Sequence, residues 1–297
     1  MSNIVQQNMN RRQFLQGAMA LAGGVVTMGP TQVLGANRWE PAHWAFLSDT
    51  HISVNPDNRY RGFYPYQNLQ EVTGQLHSDL PDGLVVTGDL ARLKGRKGDY
   101  TNLRKLLTPI AQQRPVHLAT GNHDNRENFL NAFTHSGERD WIVGGKRIVT
   151  VKTGQVMLIL LDSLLFVDLP WGKLGGSQLA WLKTYLNALD DIPTILCLHH
   201  PIKGRGALLD GERLLKLIRP IPKVKAVVHG HSHEFAFRKT DGIHVISLPA
   251  TGYNQSNADP VGWVDAHLTS EYGVFTLRAV DGNTRLNHHT EQHRWRT

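Results

Sequence analysis

Apolar residues along this chain gather in short runs of branched and aromatic side chains, separated by longer stretches in which they recur at helical spacing. The runs at 43–47, 83–86, 116–119, 147–151, 155–161, 194–198, 225–228, 243–248 and 272–277 each read as a strand. The stretches 66–80, 100–113, 126–133, 177–189 and 210–218 read as helices, with Asp99 and Ser177 as N-caps and Pro109 as a kink or break in the second. Strand and helix alternate through most of the chain, which predicts βαβ units with parallel strands, followed by a hairpin-like run toward the C-terminus. No repeat, low-complexity tract or linker divides the sequence, so one α/β domain over 37–297 is the simplest organisation. The end, 287–297, carries His288, His289 and His293 and reads as a solvated tail.

Residues 1–36 do not fit this pattern. Asn10-Arg11-Arg12-Gln13-Phe14-Leu15 sets an arginine pair ahead of a modest apolar stretch, 17–28, followed by Pro30 and the small residues around Ala36. This resembles a twin-arginine export signal, and implies the twin-arginine export machinery as a partner and a periplasmic or secreted destination. The apolar stretch is short and glycine-rich beside the roughly 20 residues a membrane span needs. No stable span is expected after cleavage, though an uncleaved anchor is the alternative.

Composition narrows the chemistry. The chain has 297 residues, 40% hydrophobic and 19% charged, enough for a full core. Its formal charge is +7, two of it from the leader's Arg11 and Arg12, and the remaining cations are scattered. No basic stretch interleaved with aromatics appears, so no specific nucleic-acid partner is expected. Cys197 is the only cysteine, which excludes an intramolecular disulfide and a cysteine metal knuckle. Histidine is the abundant ligand type: of 16, seven are His51, His123, His199, His200, His229, His231 and His233.

Five polar clusters directly follow five predicted strands: Asp49-Thr50-His51, Gly88-Asp89, Gly121-Asn122-His123-Asp124, His199-His200-Pro201 and Gly230-His231-Ser232-His233. Loops at the carboxyl ends of strands in an α/β fold converge on one crevice, so the five are able to meet. Their oxygen and nitrogen donors suit Mn, Fe, Zn or Co rather than Ca or a thiolate-seeking metal. Seven ligands exceed what one first-row ion takes, whereas two ions about 3.5–4 Å apart would share them through a carboxylate such as Asp89.

This ordered series resembles that of the calcineurin-like metallophosphoesterases, and Thr87-Gly88-Asp89-Leu90-Ala91, Gly98-Asp99-Tyr100 and Leu179-Ala180-Trp181-Leu182 are similar to their class III cyclic nucleotide phosphodiesterase branch. The resemblance implies a four-layer αββα sandwich of two mixed β-sheets flanked by helices. It implies Asp49, His51, Asp89 and His233 around one metal ion, and Asp89 as bridge with Asn122, His199 and His231 around a second, both divalent or trivalent transition metals. His123 is implied as an unligated general acid or transition-state donor, with Asp124 orienting it. The expected reaction is hydrolysis of a small-molecule phosphodiester or phosphomonoester, by in-line attack of a hydroxide bridging the metals. His123 would protonate the leaving oxygen, a contribution of about 10²–10⁴-fold.

The neighbours keep simpler readings. His200 reads as a pocket wall, His229 as a satisfied strand histidine, Asp162-Ser163 as cleft lining or a turn cap, and Trp171, Trp181 and Trp263 as core or rim aromatics. Arg59, Arg61 and Arg92 read as solvated surface, although each is able to reach a phosphate. His233-Glu234-Phe235-Ala236-Phe237 lacks the second histidine of a zinc-protease helix, and no P-loop occurs. A rival reading, a catalytically silent metal-dependent binder of a phosphorylated ligand, would be marked by loss of His123 or of a bridging ligand, and both are present.

Overall fold

The computed structural model describes residues 41–133 and 140–297; the export-signal reading on residues 1–36 lies outside them. Two sheets form the centre. The first has six strands in the order β13-β12-β11-β1-β2-β3, and the second seven in the order β4-β5-β6-β7-β8-β10-β9, with β5 spanning Lys146–Thr153. In the first, β1 (Ala42–Leu47), β2 (Gly83–Val86) and β3 (Val116–Leu118) run parallel, and β1 also pairs antiparallel with β11 (Pro260–Leu268). In the second, β6 (Val156–Leu161), β7 (Thr194–Leu198), β8 (Val224–His229) and β10 (Ile243–Ser247) run parallel.

Side-chain alternation assigns each strand's two faces. Along β1, Trp44 and Phe46 point between the sheets and meet Leu158, Leu160, Ile195 and Val228 of the second sheet. Ala45 and Leu47 point outward, where α1 (Pro65–Ser78) and α2 (Lys97–Ala111) bury Leu69, Val72, Leu103 and Leu107 against them. The outer face of the second sheet buries Ile159 and Leu196 under α4 (Gly176–Ala188) and α5 (Gly211–Ile218) through Leu182, Leu186, Leu214 and Ile218. A shorter helix, α3 (Arg126–Ala132), begins at Asn125, whose side chain accepts from the Asn128 amide. The expected αββα sandwich of two mixed sheets is the architecture found.

Four strands escaped the sequence reading: β4 (Asp140–Val143), β9 (Ala236–Thr240), β11 and β13 (Thr290–Arg294). The end of the chain is thus a sheet edge, not a solvated tail: β13 pairs with β12 (Tyr272–Gly282), and Trp295 buries its ring beyond it. Asp99 lies one turn inside α2, where its carboxylate accepts from the Arg96 amide. Pro109 does not break that helix, because it sits two residues from the end, where few backbone bonds remain to lose. Among the described residues no helix is long and apolar enough to cross a membrane.

Candidate metal centre

The parallel strands of both sheets end along one edge, and the five polar clusters leave from it. They are knitted together by backbone bonds: the Asp49 amide donates to Gly88 O, His51 to Asp89 O, and Gly230 to His199 O. One bond crosses between the sheets, from the His231 amide to Asp49 Oδ2 at 2.9 Å. The turns are tight. Asp49, His51, Asp89, His231 and His233 all have φ between 47° and 68°, a left-handed conformation that β-carbons disfavour. Such strain persists where surrounding contacts over-determine it, typically at functional sites.

The side chains form two groups that share Asp89. In the first, His233 Nε2 lies 3.2 Å from Asp49 Oδ1 and 3.3 Å from His51 Nε2, and His51 Nε2 lies 3.9 Å from Asp89 Oδ2. In the second, His199 Nε2 lies 3.3 Å from each of Asp89 Oδ1, Asn122 Oδ1 and His231 Nδ1. All seven residues that the sequence singled out as metal ligands are therefore in one hollow, with the two oxygens of Asp89 facing different groups.

The hydrogen-bond chemistry fits a cation in each group. The His233 Nδ1 atom donates to the Tyr253 carbonyl at 2.6 Å, which leaves Nε2 turned toward Asp49 Oδ1. Asp49 Oδ1 itself is buried with no hydrogen-bond partner. An imidazole nitrogen and a carboxylate oxygen turned to each other in the interior call for a positive charge shared between them, a proton or a metal ion. Ser48 Oγ takes the other oxygen, donating to Asp49 Oδ2 at 2.5 Å, and in turn accepts from Thr87.

Burial holds two of the imidazoles in ligand form. It lowers His51 to about 3 and His231 to about 4, keeping both imidazoles neutral. For Asp89, burial pushes the pKa up, but the charge of His199 and then of His123 outweighs it and holds the carboxyl well below its usual range. Burial likewise favours neutral His199, yet Asp89 and Asp49 together raise it to about 9. Two buried carboxylates that pull this hard on a proton exert the same field on a metal ion.

The His123 ring stands farther off, although its amide donates to Asp89 Oδ1 at 2.8 Å. Its Nδ1 atom lies 2.9 Å from the Leu93 carbonyl, to which it donates, which leaves Nε2 facing the hollow 3.8 Å from Asp89 Oδ2. Asp124 does not orient that ring. Its buried carboxylate accepts from the amides of Gly121, Leu90 and Ala91 and from Tyr100 Oη, fixing the loop backbones instead. The expectation that Asp124 positions His123 is corrected: the Leu93 carbonyl does so, with Asp168 Oδ1 3.8 Å from the same nitrogen. His200 lines the hollow with Nδ1 2.8 Å from Ser163 Oγ, as a wall residue. Ser48, Leu93, Asp168 and Tyr253 were missed; only Ser48, adjacent to Asp49 at a strand end, left a trace in the sequence.

Imidazole and carboxylate donors enclosed at the carboxyl ends of the parallel strands of an αββα sandwich form a site able to hold metal ions. The sequence pattern of the calcineurin-like phosphoesterases matches residues 43–235, and the chain belongs to that family. It is 30% identical to a probable cyclic nucleotide phosphodiesterase of Synechococcus sp., over 75% of this chain and 86% of that one. It is 28% identical to a 3′,5′-cyclic-nucleotide phosphodiesterase of Nostoc sp., over 72% of this chain and 79% of that one. The fold is also that of a dimetal phosphatase from Danio rerio, with a TM-score of 0.67, 16% identity, and coverage of 86% of this chain and 100% of that one.

Proposed function

We propose that this protein hydrolyses a phosphodiester or phosphomonoester at a pair of transition-metal ions. Asp49, His51, Asp89 and His233 would hold one, and Asp89, Asn122, His199 and His231 the other. The observation that carries this reading is the Asp89 carboxylate, with Oδ1 3.3 Å from His199 Nε2 and Oδ2 3.9 Å from His51 Nε2, so that one side chain serves both groups. Metal ions bound there would supply Lewis-acid polarisation of the phosphoryl oxygens and activation of water. Around them, Ser48 and the His231 amide fix Asp49, and the Tyr253 carbonyl fixes the tautomer of His233.

His123 supplies the proton. With Nδ1–H donated to Leu93, the protonated ring turns Nε2–H toward the hollow, where it meets the departing oxygen of the ester. The naming of both relatives as cyclic nucleotide phosphodiesterases favours a diester, and a cyclic nucleotide is the first natural substrate to try. The test uses purified protein reconstituted with Mn²⁺, Zn²⁺, Co²⁺ or Fe²⁺. It should release p-nitrophenol from bis(p-nitrophenyl) phosphate, and Asp89→Ala should abolish this. Metal-replete protein that leaves a broad ester panel untouched overturns the reading.

The leader supports a second proposal, export in the folded state. Replacing Arg11 and Arg12 together by lysine should hold the protein in the cytoplasm, and unchanged export would refute it.

A further inference from the structure

Arg92 follows the bridging Asp89 by three residues and is bound into the same backbone. Its amide donates to Ile52 O at 2.9 Å, and a bridge between Ile52 and Ala91 continues the β1–β2 pairing past both ligand turns. The side chain is half-buried and held in place. Its guanidinium carbon lies 4.1 Å from the centre of the Tyr60 ring and 5.7 Å from that of Tyr253, and Nε donates to Asn58 Oδ1 at 3.3 Å. Tyr253 in turn stacks 4.6 Å from the His51 ring and 4.9 Å from His233. One aromatic ring therefore separates this cation from the first donor group.

The cation has no acid to answer it. Among the described residues no carboxylate is in ion-pair reach of Arg92, and the nearby Asp99 carboxylate accepts from the amides of Val54 and Arg96. Two exposed arginines of the preceding loop also have no carboxylate in ion-pair reach among the described residues. Arg59 lies over the Tyr64 ring and donates to Gly62 O, while Arg61 donates to Gln255 O. Elsewhere Arg126, Arg147, Arg219 and Arg278 each grip a carboxylate. A guanidinium stacked on tyrosine keeps its fork of N–H donors free for a bidentate partner, and the natural partner of such a fork is a phosphate or carboxylate oxygen pair.

We infer that Arg92, stacked over Tyr60 beside Tyr253, forms a subsite for a second anionic group of the substrate, one that lies beyond the scissile phosphate on the His51 side. Arg59 and Arg61 extend the positive field at its mouth. The preferred substrate class is then a phosphoester bearing a further phosphate or carboxylate. This rests on the phosphoesterase reading for the identity of the reacting group, but the subsite is tested separately.

The experiment measures competitive inhibition of bis(p-nitrophenyl) phosphate hydrolysis by adenosine 5′-monophosphate and by adenosine 3′,5′-bisphosphate, which differ by one anionic group. Wild-type protein should bind the bisphosphate at least tenfold more tightly. The ratio of the two inhibition constants should fall to near unity in Arg92→Ala and lie between in Arg92→Lys, which keeps charge without the fork. The surface control Arg285→Ala should leave the ratio unchanged. Equal inhibition by the two nucleotides in wild type, or a preference that survives Arg92→Ala, overturns the subsite. If wild type turns over no ester, the phosphoesterase reading fails by itself, and calorimetric titration of the same two nucleotides decides the subsite by the same ratio.

Discussion

His51 and His233 point their Nε2 atoms at each other across 3.3 Å in the interior of the protein. Burial keeps His51 neutral, and His233 Nδ1 donates to the Tyr253 carbonyl, so both rings turn an Nε2 atom to the same point. A cation held there would take both nitrogens as ligands, and binding would stabilise the fold by about 2.7 kcal/mol when free metal stands at 100 times its dissociation constant. Elemental analysis of His233→Ala and of His199→Ala should each show about one metal equivalent fewer than wild type. Stripping wild type with a chelator should lower its urea midpoint. Variants that retain full metal content would show that these donors are not the ligands.

His123 and Asp124 are adjacent yet do different things, and kinetics should separate them. Removing His123 takes away a proton donor, so His123→Ala should reduce turnover of esters with alkyl leaving groups by about 10²–10⁴-fold. Esters of p-nitrophenol, whose anion leaves without a proton, should lose far less. Asp124→Ala strands three buried amides, each costing on the order of 1–3 kcal/mol, and should act as a folding variant that slows both esters alike. Equal losses on both leaving groups in His123→Ala would exclude the acid role.

The opposite end of β1 carries a pH-dependent pair. His43 Nε2 lies 2.8 Å from Asp265 Oδ1, and this hydrogen bond outweighs burial to raise the His43 pKa above 6.5. Burial acts to raise Asp265, but His43 and Arg278 prevail and lower it below 3.8. The Asp265 share of stability is present above the ordinary carboxylate value and is lost as pH falls through the depressed one. The His43 share is complete below about 6.5 and is lost as pH rises through the raised value. Wild type should therefore lose more unfolding free energy than His43→Gln between pH 6 and 9 (about one proton's linkage). Parallel curves for the two proteins would remove the pair from the account.

Legibility in the sequence followed side-chain periodicity. Central parallel strands such as β2 and β7 are apolar on both faces and stand out as runs, and all five helices announce themselves by their buried stripes. Strand β11 does not, because Gly262 and Asp265 interrupt its pattern; Asp265 is tolerated there only because His43 and Arg278 satisfy it. The edge strands β9 and β13 are largely polar, so although each pairs with its neighbour in the chain, β10 and β12, neither shows an apolar run. At the centre, ligands were legible because each sits in a short polar cluster at a strand end. Tyr253 and Leu93 act through backbone carbonyls, which every residue has, so no residue type could mark them.

Gly230 offers a test of how tightly the two sheets must approach to hold the site. A β-carbon built there would lie 1.8 Å from Ser48 Oγ and 2.4 Å from Asp49 Oδ2, far inside any tolerated contact. Those atoms are not flexible ends: Ser48 is bonded to Thr87, and Asp49 Oδ2 receives both Ser48 and the His231 amide. A methyl group must therefore push Asp49 away from His233 or separate the β8 turn from β1, and either movement opens the first donor group. Its φ is not in the left-handed region, so the demand for glycine here is one of space alone. Gly230→Ala should thus lose activity by at least two orders of magnitude and about one metal equivalent, because a misplacement of about 1 Å can cost about 10²-fold. Gly74→Ala, where no atom lies within 4 Å of the added carbon and φ is not left-handed, controls for loss of a glycine as such. Full activity in Gly230→Ala would mean that Asp49 and His231 need not be held in contact, and the geometry proposed for the first metal ion would have to be abandoned.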